Sequence, residues 1–282
     1  MRISIIGCGS MGLVYARAFT RYNLVKPGKL LLAEKNEARR DELRHYHLGE
    51  VVLVNDPAIL ESDVMILAVK PQDFPDVAPY FRNRLKPDMV VLSIMAGIRL
   101  AQLEEMLGHT TLVRAMPNAP VEVGMGITGF SAHLSASRAQ IQKVEHLLAS
   151  TGRTLYFEDE SLLDAVTALS GSGPAYFYYI LQAMIDAGKH LGLSETESSL
   201  LVKHTMNGAF QLVNNSNRPF NELIKAVASR GGTTEAALNV FEEKGLHNTI
   251  VEGIIRAEER SRQLSENTTK PDPAVSQPDS QL

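Results

Sequence analysis

Apolar runs of four to seven residues recur through the first half of the chain: ISII (3–6), KLLLA (29–33), VVLV (51–54), DVMILAV (63–69), MVVLSIM (89–95) and TLVRAM (111–116). They are aliphatic and β-branched with little polar alternation, which predicts strands covered on both faces. Longer amphipathic stretches separate them, as in βαβ units. Right-handed crossovers then predict a parallel sheet with helices on both sides and ligands at the carboxyl ends of the strands. After about residue 160 the strand pattern stops. Pro174 follows Gly173 as a natural first helical residue, AYFYYILQAMIDAG continues from it, and Gly192 stands where a helix would end. Ser194 with Glu197 forms a capping box for a helix through about Val213, and further helices fit 220–228, 234–244 and 248–264.

The expected fold is therefore an α/β domain with a parallel sheet over residues 1–158 and an all-α domain over 159–265. Residues 266–282 hold three prolines and hardly any large apolar side chain, so they are expected to form a disordered tail. With 44% hydrophobic and 21% charged residues in 282, the body can bury a core. A formal charge of −4 with scattered bases argues against a nucleic-acid partner, which needs a basic face. Cys8, the single cysteine, cannot form an internal disulfide, and no His or Cys pair has metal-site spacing. A reducing compartment, the cytoplasm, is expected, with no metal. No charged leader precedes an apolar core, and no apolar run approaches the ~20 residues of a bilayer span. The expectation is a protein neither exported nor membrane-embedded.

Chemistry enters at Gly7-Cys8-Gly9-Ser10-Met11-Gly12, a GxGxxG between the strand RISII and the helix GLVYARAFT. Its glycines permit the tight turn, the approach of backbone to a pyrophosphate and the packing of helix on strand, a Rossmann-type site. The helix start offers free amides to the phosphates. At the end of the second strand the signals conflict. Glu34 can accept from the adenosine ribose 2′-OH of NADH; Lys35, Arg39 or Arg40 can instead pair with the 2′-phosphate of NADPH, or simply be solvated. Lys70, before Pro71, either contacts the cofactor or points into water.

A second glycine-rich stretch, ASRGGTTEAAL (228–238), precedes a helix. Gly231 and Gly232 permit a tight bend, and the helix leaves amides at Thr233, Thr234 and Glu235 for a carboxylate, unless a threonine merely caps it. Together with SIMAGI (93–98), MPNAP (116–120) and DAVTALSGSGPAYFYYILQAMIDAG, this stretch resembles the pyrroline-5-carboxylate reductase family over roughly residues 1–264. The resemblance implies an N-terminal dinucleotide domain, a helical dimerisation domain and NADPH- or NADH-dependent reduction of 1-pyrroline-5-carboxylate to L-proline. It implies that Gly7, Cys8, Gly9, Ser10, Met11 and Gly12 hold the pyrophosphate, and that Asn55, Ala68, Val69, Lys70, Pro71, Ala96 and Gly97 line the rest of the cofactor site. It further implies that substrate meets Glu160, Ser229, Gly232, Thr233 and Thr234. A protonated imine already attracts hydride, so no strong general acid is required, and Thr234 is the candidate to hydrogen-bond the ring nitrogen. The implied assembly is an intertwined homodimer or larger homo-oligomer, consistent with about 105 helical residues whose apolar faces call for a second copy.

Arg230 departs from the family, which usually has proline there, and Ala226 stands where a polar residue is common. Alternatives are a reductase of a related imine and a non-catalytic, regulatory relative. A β-hydroxyacid dehydrogenase fits less well, because the helix after GSG reads Pro174-Ala175-Tyr176-Phe177-Tyr178-Tyr179 without the lysine such enzymes need. That aromatic cluster is better explained by packing or a subunit interface, and His190 and His204 by structural roles.

Overall fold

A computed structural model describes residues 1–26 and 28–267. The chain divides into two compact units, one of residues 1–172 with the segment from Ala257 onward, the other Gly173–Arg256. Among the described residues no helix is long and apolar enough to cross a membrane.

The first unit is built on a sheet of β1 (Ile3–Ile6), β2 (Leu30–Ala33), β3 (Glu50–Val52), β4 (Val64–Leu67), β5 (Val90–Ser93), β6 (Leu112–Met116), β7 (Gly126–Ala132) and β8 (Gly152–Tyr156). Their order is β3-β2-β1-β4-β5-β6-β7-β8. Every pairing is parallel except β6 with β7, where Val113 faces Ala132 and Met116 faces Gly129. The wholly parallel sheet expected from the sequence is thus extended by two strands, one of them entered antiparallel. Neither shows as an apolar run. β7, GITGFSA, carries two glycines with Thr and Ser, and β8, GRTLY, is largely exposed.

Alternation within the strands loads both faces with apolar side chains. Ile3, Ile5, Leu30, Leu32, Val64, Ile66, Val90 and Leu92 join one cluster, which α1 (Ser10–Arg21) and α5 (Arg138–Leu148) complete with Phe19, Val144 and Leu147. Ile6, Leu31, Ala33, Met65, Leu67 and Val91 join the other, with Phe74 and Val77 of the short α3 (Phe74–Val77) and Leu103 and Leu107 of α4 (Leu100–Leu107). Period-2 geometry sends neighbours to opposite faces, so a strand covered on both sides reads as an unbroken apolar run. The mostly polar α2 (Glu37–His45) anchors through Leu43.

A cluster of two cations and two carboxylates, Arg99 and Arg114 with Glu160 and Asp164, fastens this unit. Arg114 of β6 places Nη1 3.0 Å from Glu160 Oε1 and Nη2 3.6 Å from Asp164 Oδ1; Asp164 lies on α6 (Leu162–Val166). Ser261 Oγ donates to Asp164 Oδ1 at 2.8 Å, and Gln102 Nε2 donates to the Ser265 carbonyl at 3.1 Å. The last turns of the helix Leu246–Asn267 are thereby tied to the sheet.

In the second unit run α7 (Gly173–His190), preceded by a π-helical turn over Thr167–Gly171, then α8 (Glu195–Asn214), α9 (Phe220–Val227), α10 (Thr233–Glu243) and the start of α11 (Leu246–Asn267). Ser194 and Glu197 form the predicted capping box, with Ser194 N donating to Glu197 Oε2 at 2.8 Å. α7 and α8 meet closely: a Cβ at Gly188 would lie 2.4 Å from Ser198 Oγ. Little else is enclosed. α9 and α10 contain no buried residue, and Phe177, Tyr178 and Tyr179 are exposed. Residues 266 and 267 close α11, and the rest of the expected tail, 268–282, lies outside the described residues.

Arg114 and Asp164 are only 3% and 2% exposed. Truncating one member of such a pair strands a buried charge, so Arg114→Met is expected to destabilise the protein by about 3–5 kcal/mol. Urea denaturation checks this, and a loss below ~1 kcal/mol would class the pair with exposed, dispensable bridges.

Candidate functional site

Strand order reverses between β1 and β4, where Ile6 pairs with Leu67, and the helices that follow, α1 and α3, pack on opposite faces of the sheet. A cleft of about 200 Å³ opens there. Gly7 and Gly9 line it from the loop after β1, Glu34 and Lys35 from the end of β2, and Ala68, Val69 and Lys70 from the end of β4. Val54, Asp73 and Val77 complete the lining.

The glycine spacing has a steric cause here. Gly7 has φ +89°, and a Cβ on it would lie 2.7 Å from Val69 Cγ1 and 2.8 Å from the Val69 nitrogen. On Gly12 a Cβ would lie 2.2 Å from the Gly7 carbonyl oxygen. Gly9 differs, with nothing within 4 Å of its missing side chain, so the loop leaves open space where a ligand would approach backbone. α1 begins after Gly9 without a side-chain cap, which leaves its first amides for an external acceptor. A dinucleotide pyrophosphate fits this cradle.

The charges beyond β2 are arranged rather than scattered. Glu34 accepts from Cys8 N through Oε2 (3.2 Å) and from Asn36 N through Oε1 (3.0 Å). Lys35 donates to Asp73 Oδ1 at 3.0 Å. Arg39 donates from Nε (3.1 Å) and Nη2 (3.0 Å) to the Cys8 carbonyl, and Arg40 Nη1 donates to the carbonyls of Glu34 (3.1 Å) and Lys35 (2.7 Å). Cys8 is fully buried beneath the loop; burial first, then the Glu34 charge, pushes its thiol up to about 12 against the opposing pull of Arg39.

Other expected residues fall elsewhere in the first unit. Asn55, Pro71, Ala96 and Gly97 do not line this cleft. Pro71 opens a 3₁₀ turn to Asp73, Ala96 is exposed, and Gly97 packs against Leu264, with 3.6 Å between a built Cβ and Leu264 Cβ. Glu160 accepts from Leu100 N (2.8 Å) at the start of α4 and from Arg114 Nη1 (3.0 Å), both through Oε1.

In the second unit the GGTT loop resolves the choice between cap and cradle at the backbone level. Gly231 turns the chain at φ +73°, Gly232 is the N-cap, and Thr233 and Thr234 lie inside the first turn of α10, so no threonine side chain caps the helix. A Cβ on Gly232 would lie 2.6 Å from Ser229 Oγ. Glu235 accepts from Gly231 N at 2.6 Å, while Ser229 and Arg230 are exposed. His190 and His204 are exposed on α7 and α8.

Residues 160–264 match a family described as pyrroline-5-carboxylate reductase dimerisation, and residues 2–97 match one described as NADP oxidoreductase, coenzyme F420-dependent. A pyrroline-5-carboxylate reductase of Pseudomonas aeruginosa is 37% identical over 94% of this chain and 97% of its own. The chain belongs to the pyrroline-5-carboxylate reductase family. Solved structures agree. A pyrroline-5-carboxylate reductase of Coxiella burnetii superposes with TM-score 0.85 at 29% identity, covering 94% of this chain and 98% of that one. A pyrroline carboxylate reductase of Plasmodium falciparum with NADP bound gives 0.84 at 26%, with the same coverage.

Within this reductase-family chain nothing local marks Val54 or Val77 as cleft residues. Asp73 had a weak cue, an acid three residues past Lys70, but its pairing with Lys35 depends on β2 and β4 flanking β1. Arg114 and Asp164 read as ordinary strand and helix charges.

A thiol held near 12 stays protonated where an unfolded one ionises near 9.0, so this contribution to stability is intact below that pH and is lost as pH climbs toward 12. Native protein at pH ~8 is expected to resist iodoacetamide and to take up one label only when unfolded, as mass spectrometry would show. Rapid native labelling would mean Cys8 is neither buried nor shifted.

Proposed function

We propose that the protein reduces 1-pyrroline-5-carboxylate to L-proline with NADH or NADPH, the closing step of proline biosynthesis. The observation that carries this is 37% identity over 94% of the chain to a reductase of that name, with the GxGxxG and GGTT stretches both present. We assign the dinucleotide to residues 1–158 and substrate and subunit contacts to 159–265, as a homodimer or larger homo-oligomer of the cytoplasm. The match over 160–264 to a dimerisation family and the exposed aromatic face of α7 support the assembly.

When bound, the nicotinamide supplies a hydride with its electron pair. The Gly7–Gly12 loop and the start of α1 hold the pyrophosphate, Ser10 and Met11 through their amides, while the Cys8 amide serves Glu34 within the same loop. Glu34, Lys35, Asn55, Ala68, Val69, Lys70, Pro71, Ala96 and Gly97 are assigned to the remainder of the cofactor. The loop at Ser229, Gly232, Thr233 and Thr234, with Glu160, is assigned to substrate. Amides at an uncapped helix start suit a carboxylate. The imine nitrogen already carries its proton, so the ring carbon accepts hydride without a strong acid, and the Thr234 hydroxyl hydrogen-bonds that nitrogen. Arg230, exposed beside the loop, adds a cation that offsets Glu235.

Purified protein is expected to oxidise NADH or NADPH only when the five-ring imine is added and to yield L-proline, followed by loss of nicotinamide absorbance. Turnover of a six-ring or acyclic imine alone would point to a related imine reductase, and no turnover to a regulatory relative. Thr234→Ala is expected to lower kcat/KM by about tenfold, one charge-assisted hydrogen bond. An unchanged value rejects its role.

Arg230→Pro, which restores the family residue, is expected to raise KM for the imine while kcat holds. An unchanged or lower KM would remove Arg230 from the carboxylate site.

A further inference from the structure

Resting on the dinucleotide reading of the cleft, we propose that it selects NADH over NADPH and that Glu34 is the residue that decides. Glu34 follows β2 directly, where an adenosine ribose hydroxyl meets an acidic side chain in dinucleotide sites. Two backbone amides hold its carboxylate at the cleft wall, Cys8 N from the glycine loop and Asn36 N from the start of α2. Each oxygen retains a lone pair for a ribose hydroxyl. A 2′-phosphate there carries about −1.5 to −2 charges and would meet this carboxylate at contact distance.

Discrimination also requires that no cation rescue the phosphate, and each nearby base already has a partner at the turn. Lys35 is paired with Asp73, which lines the same cleft and cancels its charge. Arg39 uses Nε and Nη2 on the Cys8 carbonyl and Nη1 on Glu42. Arg40 uses Nη1 on two carbonyls at the end of β2. Lys70, the remaining cation of the lining, leaves the sheet from β4, two strand spacings or ~10 Å from β2. The bases brace the Glu34 turn and leave the carboxylate to face the ribose.

Direct binding tests this without turnover. Dissociation constants of NADH and NADPH for the full-length protein, from nicotinamide fluorescence, are expected to favour NADH by about tenfold or more. Glu34→Gln and Glu34→Ser are expected to reduce that ratio mainly by tightening NADPH. Asp73→Asn, which releases Lys35, should move it the same way with Glu34 intact, and serves if the Glu34 variants fail to fold. NADPH binding as tightly as NADH, or a ratio unmoved in the folded variants, overturns the proposal and leaves the reductase reading standing. Binding of neither nucleotide overturns both.

Discussion

Between β1 and β4 the chain turns in opposite directions, and the backbone at Gly7 passes so near Val69 that no side chain can stand between them. That approach fixes the rest. It forces the loop over the sheet edge, and Gly12 then settles against the Gly7 carbonyl and aims the start of α1 at the cleft. Cys8 is driven underneath, where its amide meets Glu34 and its carbonyl gathers Arg39. One steric minimum thus organises both the uncapped amides at the start of α1 and the charged wall beside them.

A second constraint acts away from the cleft. Arg114 and Asp164 are buried with opposite charges matched, and the match extends through Ser261 to the last turns of α11. Buried pairs of this kind contribute less net stability than specificity of arrangement, since desolvation offsets much of their attraction. Here the arrangement fixes Glu160, whose Oε1 serves Arg114 and the first amide of α4 together.

How legible this was in sequence depended on whether a signal is local. The six parallel strands showed because a strand covered on both faces must be apolar throughout, and the glycine loop showed because steric demands fall on fixed spacings. β7 and β8 did not, since Gly126, Gly129 and an exposed edge erase the pattern. The charges after β2 were visible, but their meaning was not. Whether Lys35 faces a phosphate or Asp73 depends on two segments 38 residues apart meeting across β1. The Arg114 set was hidden for the same reason.

The helical unit keeps few side chains from water by its own packing, with α9 and α10 enclosing none and the aromatic run of α7 exposed. In a family whose helical segment is a dimerisation element, that surface makes protein concentration a thermodynamic variable. Association acts as a ligand for the folded state, so dilution lowers the melting temperature by mass action while the internal contacts of each subunit stay the same. Newly made chains then carry an uncovered greasy face until they encounter a sibling, which ties the yield of folded protein to its rate of synthesis.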